Sequence, residues 1–314
     1  MTSSDHEPTA TVPSSSAAQA PVIMTGDIWL DGQWVDASEA TISVFDHGLL
    51  YGDGCFEGIR IYNGRIFKLR SHLERLYASA DRIRLTPAYD IDTIESATRE
   101  AVQRNGLEDG YIRVVFTRGA GTLGLHPFHC PRSSAIIIAA DITLYPEEMY
   151  VEGMPVIVAK RPRIPIACLD PEIKSLNYLN NILAKVEAID AGVLEAIMLN
   201  TEGLVAECTG DNIFVIKDGR ISTPDTSAGM LHGITRRFVI EEVAPALGYE
   251  VAERAHRLDE LKNADEVFLT GTAAEVIGVS TIDGDPVGSG RVGPVTTALV
   301  AEFRRLTRAD ACEA

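Results

Sequence analysis

Pro171-Glu-Ile-Lys-Ser-Leu-Asn-Tyr-Leu-Asn-Asn181 brings a lysine, Lys174, to the junction between a loop and a predicted helix over 176–191. A lysine that faces a pocket at such a junction can lose its hydration, which frees the amine for Schiff-base chemistry. The chain has only six lysines, and each of the others fits a solvated position. These others are Lys68, Lys160 within the basic surface stretch Lys160-Arg-Pro-Arg163, Lys185, Lys217 and Lys262. We therefore take Lys174 as the candidate catalytic residue.

Several segments outside this stretch carry groups that bind anions. Gly233-Ile-Thr-Arg-Arg237 opens a predicted helix, so its amides and the Thr235 hydroxyl lie at the positive end of the helix dipole. Thr270-Gly-Thr-Ala-Ala-Glu275 follows a predicted buried strand, and Arg60 ends the run Cys55-Phe-Glu-Gly-Ile-Arg. Glu207 lies just before another predicted strand. One lysine, a set of phosphate-binding donors and a buried carboxylate are what a pyridoxal phosphate site requires.

The rest of the chain alternates turn signals with short apolar runs, which predicts a mixed α/β fold. Four dipeptides predict type I′ hairpins: Asp31-Gly32, Asn63-Gly64, Asp218-Gly219 and Asp283-Gly284. Buried strands are predicted at 111–117, 134–140, 154–159, 196–200 and 266–270. Helical periodicity predicts helices over 71–85, 91–105, 176–191, 234–247 and 295–306. Ser71 and Glu74 match a capping box at the start of the first helix.

Length and composition predict two domains behind a short tail. At roughly 100–200 residues per domain, 314 residues suffice for two. Residues 1–24 are rich in Ser, Thr, Ala and Pro and predict a disordered tail. We expect a smaller N-terminal domain over 25–145, a linker over 146–153 and a larger C-terminal domain over 154–314.

Charge and hydropathy exclude several classes of partner. With 28 Lys and Arg against 45 Asp and Glu, the formal net charge of −17 argues against nucleic acid, whose binding depends on phosphate neutralisation. The longest apolar run, 135–140, is far too short to span a membrane. No lysine or arginine precedes Arg60, so the patterns of secretory and mitochondrial leaders are missing. The five cysteines form no CxxC pair and predict reduced thiols. We expect a cytoplasmic protein.

Two motifs within 119–130 resemble binding sites but lack the features that such sites need. Gly119-Ala-Gly-Thr-Leu-Gly124 matches the GxGxxG dinucleotide pattern, but Pro127 and Pro131 prevent the helix that must follow it. His126, His129 and Cys130 lie close together, yet no fourth ligand occurs at a usual spacing, and we expect no metal site.

The combination of segments resembles the fold-type-IV pyridoxal-phosphate enzymes, and among them the branched-chain amino acid aminotransferases of class IV. The matching segments appear in family order and cover nearly all of the chain from residue 26 onward: 46–54, 56–60, 111–113, 174–180, 207 with 210–214, 232–236 and 269–275. The resemblance implies an α/β fold of α+β type with two domains, the larger of which has a β-barrel-like core. It also implies transamination between L-leucine, L-isoleucine or L-valine and 2-oxoglutarate, with pyridoxal 5′-phosphate as the cofactor.

The resemblance assigns roles position by position. Lys174 is the catalytic residue that holds the cofactor and moves the substrate proton. The cofactor-binding positions are Arg60, Tyr178, Glu207, Ile234, Thr235 and Thr272. Among these positions, Arg60 pairs with the phosphate of the cofactor and Glu207 faces its pyridine nitrogen. Tyr178, one helical turn beyond Lys174, donates to the phenolic oxygen of the cofactor. The substrate-binding positions are Tyr51, Phe56, Tyr111, Arg113, Leu125 and Ala273.

Family relatives also imply a homodimer or larger homo-oligomer, because Tyr51 and the loop 119–125 reach into the neighbouring subunit's site. Alternatives within the superfamily are D-amino-acid aminotransferase, R-amine transaminase and aminodeoxychorismate lyase. Ala139-Ala-Asp-Ile-Thr-Leu144 lacks the aromatic residue that some branched-chain enzymes carry there, which leaves the side-chain specificity open. A nicotinamide oxidoreductase and a catalytically silent scaffold are the rivals from other classes.

Overall fold

Local hairpins organise both β-sheets of the protein. The computed structural model describes residues 25–142 and 145–309, so the predicted tail at 1–24 lies outside the described residues. Asp31, Asn63, Asp218 and Asp283 all have φ between 49° and 54° and each precedes a glycine that also has positive φ. Both central residues of a type I′ turn need this conformation. All four predicted hairpins are therefore confirmed.

The first sheet has six strands, all antiparallel, in the order β2-β1-β6-β5-β3-β4. The strands are β1 (Asp27–Leu30), β2 (Gln33–Asp36), β3 (Gly54–Tyr62), β4 (Arg65–Ile66), β5 (Gly110–Thr117) and β6 (Ser134–Ala140). Every residue of β3 is buried, because one face packs under helices and the other faces the second half of the chain. The chemistry-bearing run 55–60 thus lies on a central strand.

The second sheet has nine strands and curls into a barrel-like core. They are β7 (Met154–Val158), β8 (Glu195–Leu199), β9 (Val205–Cys208), β10 (Asn212–Lys217), β11 (Arg220–Thr223), β12 (Val251–Glu253), β13 (Glu266–Gly271), β14 (Glu275–Ile282) and β15 (Asp285–Pro286). The order is β12-β11-β10-β13-β14-β7-β8-β9, with β15 beside β14. The Cys208 amide donates to the Asp211 carbonyl at 2.7 Å, which brings β9 back against β10. The mixed α/β fold with such a core is confirmed.

The helices cover the outer faces of the two sheets. They are α1 (His47–Tyr51), α2 (Leu69–Arg82), α3 (Ile91–Arg104), α4 (Glu147–Glu152), α5 (Leu179–Asp190), α6 (Ile234–Phe238), α7 (Ala244–Ala246), α8 (Leu258–Lys262) and α9 (Pro294–Arg308). Between α6 and α7 the turns widen into a π-helix over Val239–Val243. Pro245 has no amide hydrogen for the carbonyl of residue 241, which accounts for the altered hydrogen bonding.

Three local expectations need correction. The capping box at Ser71 is wrong, because α2 begins at Leu69 and its N-cap is Lys68, with a left-handed φ of 48° and no side-chain cap. Glu207 lies within a strand of its own, β9, which was not predicted, and β10 follows five residues later, as expected. The helix predicted from 176 begins three residues later, at Leu179.

The two sheets occupy separate parts of the chain and meet through aromatic residues. The first sheet lies within 27–140 and the second within 154–286, while the predicted linker 146–153 contains α4; the division into domains itself stays a prediction. Phe67 packs edge-on against Phe238, which in turn packs against Phe303 of α9. In the described part of the chain, no helix has the length and apolarity that crossing a bilayer requires.

Candidate active site

A cavity of about 340 Å³ lies beside Lys174, where the first sheet meets the second. Of the residues predicted from the sequence, it is lined by Phe56, Tyr111, Arg113, Lys174, Tyr178, Thr272 and Ala273. The other lining residues, none of which was predicted as a site residue, are Gly58, Tyr145, Asn181, Ile182, Lys185, Glu195, Thr209, Gly210 and Asp211. The structure thus brings together residues that are up to 217 positions apart in the sequence.

Lys174 is held by backbone pairing with β3. Its carbonyl accepts a hydrogen bond from the Phe56 amide at 2.9 Å, and its Nζ lies 4.8 Å from the centre of the Phe56 ring. The Lys174 Nζ donates to the Tyr178 hydroxyl at 3.0 Å, so the two predicted partners are in contact. The helical-turn explanation for this contact is wrong, because Tyr178 is the N-cap of α5 and Lys174 lies in the loop before it. The amine is therefore placed by an extended segment, with its aliphatic stem along an aromatic wall.

Glu207 is a buried carboxylate with both oxygens engaged. Its Oε1 accepts from Arg163 Nε at 2.7 Å, and its Oε2 accepts from the Leu231 amide at 3.0 Å. Arg163 also donates to Asn181, which lines the cavity, whereas Glu207 does not line it. The interpretation of Arg163 as part of a basic surface stretch is wrong, since its side chain is only 8% exposed. This pair supplies a fixed negative charge just behind the cavity wall.

Two further buried carboxyl groups, those of Glu195 and Asp211, line the cavity itself. Glu195 accepts hydrogen bonds from the Thr209 amide and hydroxyl and lies 3.6 Å from the Lys185 Nζ. Burial, and after it the Glu195 carboxylate, raise the pKa of Asp211 to about 8. Two carboxyl groups this close favour sharing one proton. The expectation of a merely solvated Lys185 is wrong, since it faces both the cavity and Glu195.

Arg60 does not reach this cavity. It shares the strand face of Phe56 and Gly58 but lies two residues farther along β3, beyond the end of the cavity. It donates to the Gly110 carbonyl at 3.3 Å and lies 3.7 Å from the Glu275 carboxylate. The structure therefore places the predicted phosphate arginine in a different cluster.

Arg75 of α2 lies beside the predicted phosphate-binding segment instead. It donates to the His232 carbonyl at 2.6 Å, directly before the Gly233–Ile234 helix start. It also makes a bidentate pair with Glu57 at 2.7 and 2.9 Å, and Glu57 accepts a further bond from His72. Burial alone would raise the pKa of Glu57, but Arg75 and His72 outweigh burial and hold that pKa well below its usual range. Arg75 was not predicted from the sequence, although its position on the buried side of the amphipathic helix α2 could have indicated a role inside the molecule.

The proposed substrate side of the cavity is aromatic and cationic. The Arg113 guanidinium stacks 4.5 Å from the Phe56 ring centre and 5.3 Å from that of Tyr111. Burial raises the pKa of Tyr111, so its hydroxyl keeps its proton and can donate. Opposite them, the Thr272 hydroxyl donates to the Gly58 carbonyl at 3.2 Å. This arrangement suits a small molecule that has an apolar side chain and a carboxylate.

Tyr51, Leu125, Ile234 and Thr235 do not line the cavity in this chain. The Tyr51 hydroxyl accepts a hydrogen bond from the Gly124 amide at 2.9 Å, so α1 and the loop 119–125 form one unit. Leu125 is 80% exposed. Thr235 is buried at the start of α6, while Ile234 and Arg75 line a neighbouring surface cleft.

The residues around the cavity fit pyridoxal phosphate. The Lys174 amine has a hydroxyl partner and no carboxylate partner among the described residues, so it remains available to a carbonyl compound. Thr270, directly before the Thr272 turn, has a buried hydroxyl with no hydrogen-bond partner in the described residues. A planar pyridine ring with a phosphate group would use these groups together with Glu207.

Comparison with known proteins decides the family. A family model described as amino-transferase class IV matches residues 54–282, more than half of the chain. The chain belongs to the class IV aminotransferases. The branched-chain-amino-acid aminotransferase of Pseudomonas aeruginosa is 40% identical over 285 residues, which are 87% of this chain and 90% of that protein. The family predicted from the ordered motifs is confirmed, and this chain is an aminotransferase.

Two further relatives bear on cofactor and substrate. The crystal structure of the branched-chain amino acid aminotransferase from Thermobaculum terrenum in its PLP form has a TM-score of 0.82 at 31% identity, covering 91% of this chain and 95% of that chain. The D-alanine aminotransferase of Staphylococcus aureus (strain COL) is 37% identical over 279 residues, which are 88% of this class IV aminotransferase and 96% of that protein.

Proposed function

We propose that this aminotransferase transfers the amino group of L-leucine, L-isoleucine or L-valine to 2-oxoglutarate with pyridoxal 5′-phosphate as its cofactor. The contact between Lys174 and Tyr178 inside an aromatic cavity carries the proposal. Solved structures with the same fold, with TM-scores of 0.88 and 0.82, are named branched-chain amino acid aminotransferases, as is the Pseudomonas relative, which supports the substrate class. The bound cofactor withdraws electrons from the substrate Cα and so makes its proton acidic.

Lys174 is the proton-transfer residue in this proposal. Its Nζ takes the proton from the substrate Cα, because it is the amine that lies over the Phe56 wall at the centre of the cavity. Tyr178 holds that amine in place by accepting its hydrogen bond. Glu207, fixed by Arg163, supplies the negative charge that keeps the pyridine nitrogen protonated.

Anionic groups would be bound at two places, one inside the cavity and one between the cavity and the neighbouring cleft that Arg75 and Ile234 line. We assign the cofactor phosphate to Arg75, the Ile234 amide, Thr235 and Thr272, with Arg75 in the role first predicted for Arg60. The substrate carboxylate would meet the Ala273 amide, Tyr111 and Arg113. Bidentate recognition of phosphate favours arginine over lysine at the first of these positions.

We also propose a cytoplasmic homodimer. An apolar row on α5, formed by Leu179, Ile182, Leu183, Val186 and Ile189, is exposed in the single chain, with Leu179 at 65%. We call these residues the α5 row. Contiguous exposed apolar surface of this kind ordinarily marks an interface. A partner that covers this row would also bring its own Tyr51 and Leu125 towards the cavity.

The decisive experiment compares substrates on one enzyme preparation. L-leucine with 2-oxoglutarate should react fastest among L-leucine, D-alanine, an R-amine and aminodeoxychorismate. Faster turnover of D-alanine would transfer the assignment to the D-amino-acid group, which the Staphylococcus relative represents.

Lys174→Ala should lower kcat by about three orders of magnitude or more, since it removes both the amine that holds the cofactor and the base. The matched control is Lys217→Ala, whose amine pairs with Asp265 on the surface and should matter little. Reduction with borohydride should fix the cofactor to the peptide that contains Lys174. Unchanged turnover of the Lys174 variant would contradict the proposal.

A further inference from the structure

Glu275 has an unusual backbone conformation directly after the turn that lines the cavity. Its φ is 59°, in the left-handed region, and it closes the three-residue loop Thr272-Ala273-Ala274 between β13 and β14. Glycine adopts this left-handed conformation freely, whereas a residue with a Cβ is strained there. Glu275 is also buried, whereas Asn63 and Asp218, which share positive φ, lie in exposed turns.

Charged side chains from two other elements hold Glu275. Its Oε1 lies 3.7 Å from an Arg60 nitrogen, and its Oε2 lies 3.6 Å from the Arg304 Nε. Arg60 belongs to β3 of the first sheet, and Arg304 belongs to α9. The Arg60 guanidinium also lies over the Tyr62 ring, with its central carbon 4.7 Å from the ring centre. The carboxylate therefore ties the end of the turn to parts of the molecule that flank it on both sides.

The same turn is tied to β3 at a second point. The Thr272 hydroxyl donates to the Gly58 carbonyl at 3.2 Å, and Gly58 precedes Arg60 by two residues on the same strand face. Strand β3 thus fixes the turn at its beginning through Gly58 and at its end through Arg60. Between these points lies Ala273, which lines the cavity together with Thr272.

We propose that Glu275 is a positioning residue whose carboxylate, held by Arg60 and Arg304, fixes the turn that presents Thr272 and Ala273 to anionic ligand groups. This inference rests on the proposed function for the identity of the ligands. It also gives Arg60 a role: it acts on the site through Glu275 and the turn. Because Lys174 lies on a separate segment, loosening the turn weakens binding without disabling the amine.

Two substitutions at position 275 separate the carboxylate from the backbone. Glu275→Gln keeps the size of the side chain, and Glu275→Gly relieves the backbone strain, but both lose the charged anchor. Each should raise the KM for L-leucine and the Kd for pyridoxal phosphate by about tenfold, the effect of about 1.4 kcal/mol of lost binding, with kcat within about twofold. If the glycine variant binds like the wild type, the backbone alone sets the turn and the proposal is wrong.

The partner arginines give an independent test. Arg60→Met should reproduce the rise in KM and Kd, and the double variant Arg60→Met with Glu275→Gln should be no worse than either single variant, because both remove one interaction. Arg304→Met removes the second cation without emptying the buried cluster and should give a smaller rise in the same direction. If the effects of the two substitutions on KM and Kd add in the double variant, Arg60 and Glu275 do not act together and the proposal is wrong.

Binding to the apoenzyme, followed by tryptophan fluorescence with pyridoxal phosphate as the probe, gives a readout besides activity. Thermal unfolding of each variant shows that it is folded, and Asp265→Asn, which breaks a surface ion pair, is the matched control and should leave both constants unchanged. If the wild type binds pyridoxal phosphate but does not transaminate L-leucine, the proposed function fails while the affinity series still tests Glu275. If the wild type is active and the variants match it, only the Glu275 inference fails.

Discussion

Arg60 and Arg75 show how the neighbours of a single residue determine what it can do. Both are arginines near the start of the chain, and both pair with a buried glutamate. Arg75 keeps one guanidinium nitrogen directed at the His232 carbonyl, next to a helix start with free amides. Arg60 instead stacks over Tyr62 and faces Glu275. Only Arg75 therefore lies where a phosphate could use it directly.

We expect Arg75→Lys to weaken the binding of pyridoxal phosphate by about tenfold or more, because a charge-assisted hydrogen bond contributes about 1.5–3 kcal/mol and lysine cannot reproduce the bidentate pair with Glu57. The measurement is titration of the apoenzyme with cofactor. Arg70→Lys, on an exposed turn of the same helix, is the control. Equal affinity in the two variants would remove Arg75 from the phosphate site.

At the scale of elements, the sequence was most informative where structure depends on neighbouring residues. The four hairpins and the helix over 91–104 follow from local turn signals and helical periodicity, and the structure adds that Asp90 caps this helix by accepting from the Thr93 amide. The start of α2 was mispredicted because Lys68, a residue that rarely takes left-handed φ, closes a tight turn there. Short elements such as α1 and α4 carry too few residues for a periodic signal.

The residues of the candidate site also differ in whether a local sequence signal indicates them. Lys174, Tyr178, Phe56 and Thr272 were found because their motifs are contiguous in sequence, and they line one cavity. Arg163 was missed because only the pairing of distant segments shows that it is buried against Glu207. A basic run in a sequence does not reveal which of its members turns inward.

Asp211, which lies where β8, β9 and β10 meet, makes the free energy of unfolding depend on pH. Because burial and Glu195 raise the pKa of Asp211 to about 8 from an ordinary value of 3.8, the folded protein binds a proton that the unfolded chain has released. The stabilisation is fully present below the ordinary value and is lost as pH rises through about 8. Between these values the free energy of unfolding should fall by at most about 1.4 kcal/mol per pH unit from this group.

Asp211→Asn should flatten that dependence, since an amide cannot release the proton. Urea unfolding from pH 5 to pH 9 measures it, with Asp218→Asn, in an exposed hairpin turn, as the control. A wild-type slope that persists in Asp211→Asn would show that another group is responsible.

For the whole molecule, the excess of acidic residues and the anion-binding site occupy different places. The formal net charge is −17, yet Arg113, Lys174 and Lys185 all face the cavity. The cavity also contains the Glu195–Asp211 pair, which shares one proton and therefore offsets only part of this positive charge. Selective binding of anions therefore depends on where these cations lie, and the phosphate and carboxylate positions must be fixed by rigid elements.

The α5 row links assembly to catalysis, because α5 begins at Leu179, directly after Tyr178, and its opposite face packs on β8 through Ala184 and Ala188. Ile189→Glu should convert the proposed dimer to monomers, since a buried unpaired charge at an interface is strongly unfavourable. Light scattering during gel filtration measures the mass, and activity should fall with it because the partner's Tyr51 would leave the cavity. Val151→Glu, at a site on α4 that is 69% exposed, introduces the same charge outside the α5 row and should stay dimeric and active. An Ile189 variant that remains an active dimer would place the interface elsewhere, and a wild type that is an active monomer would show that the cavity is complete within one chain.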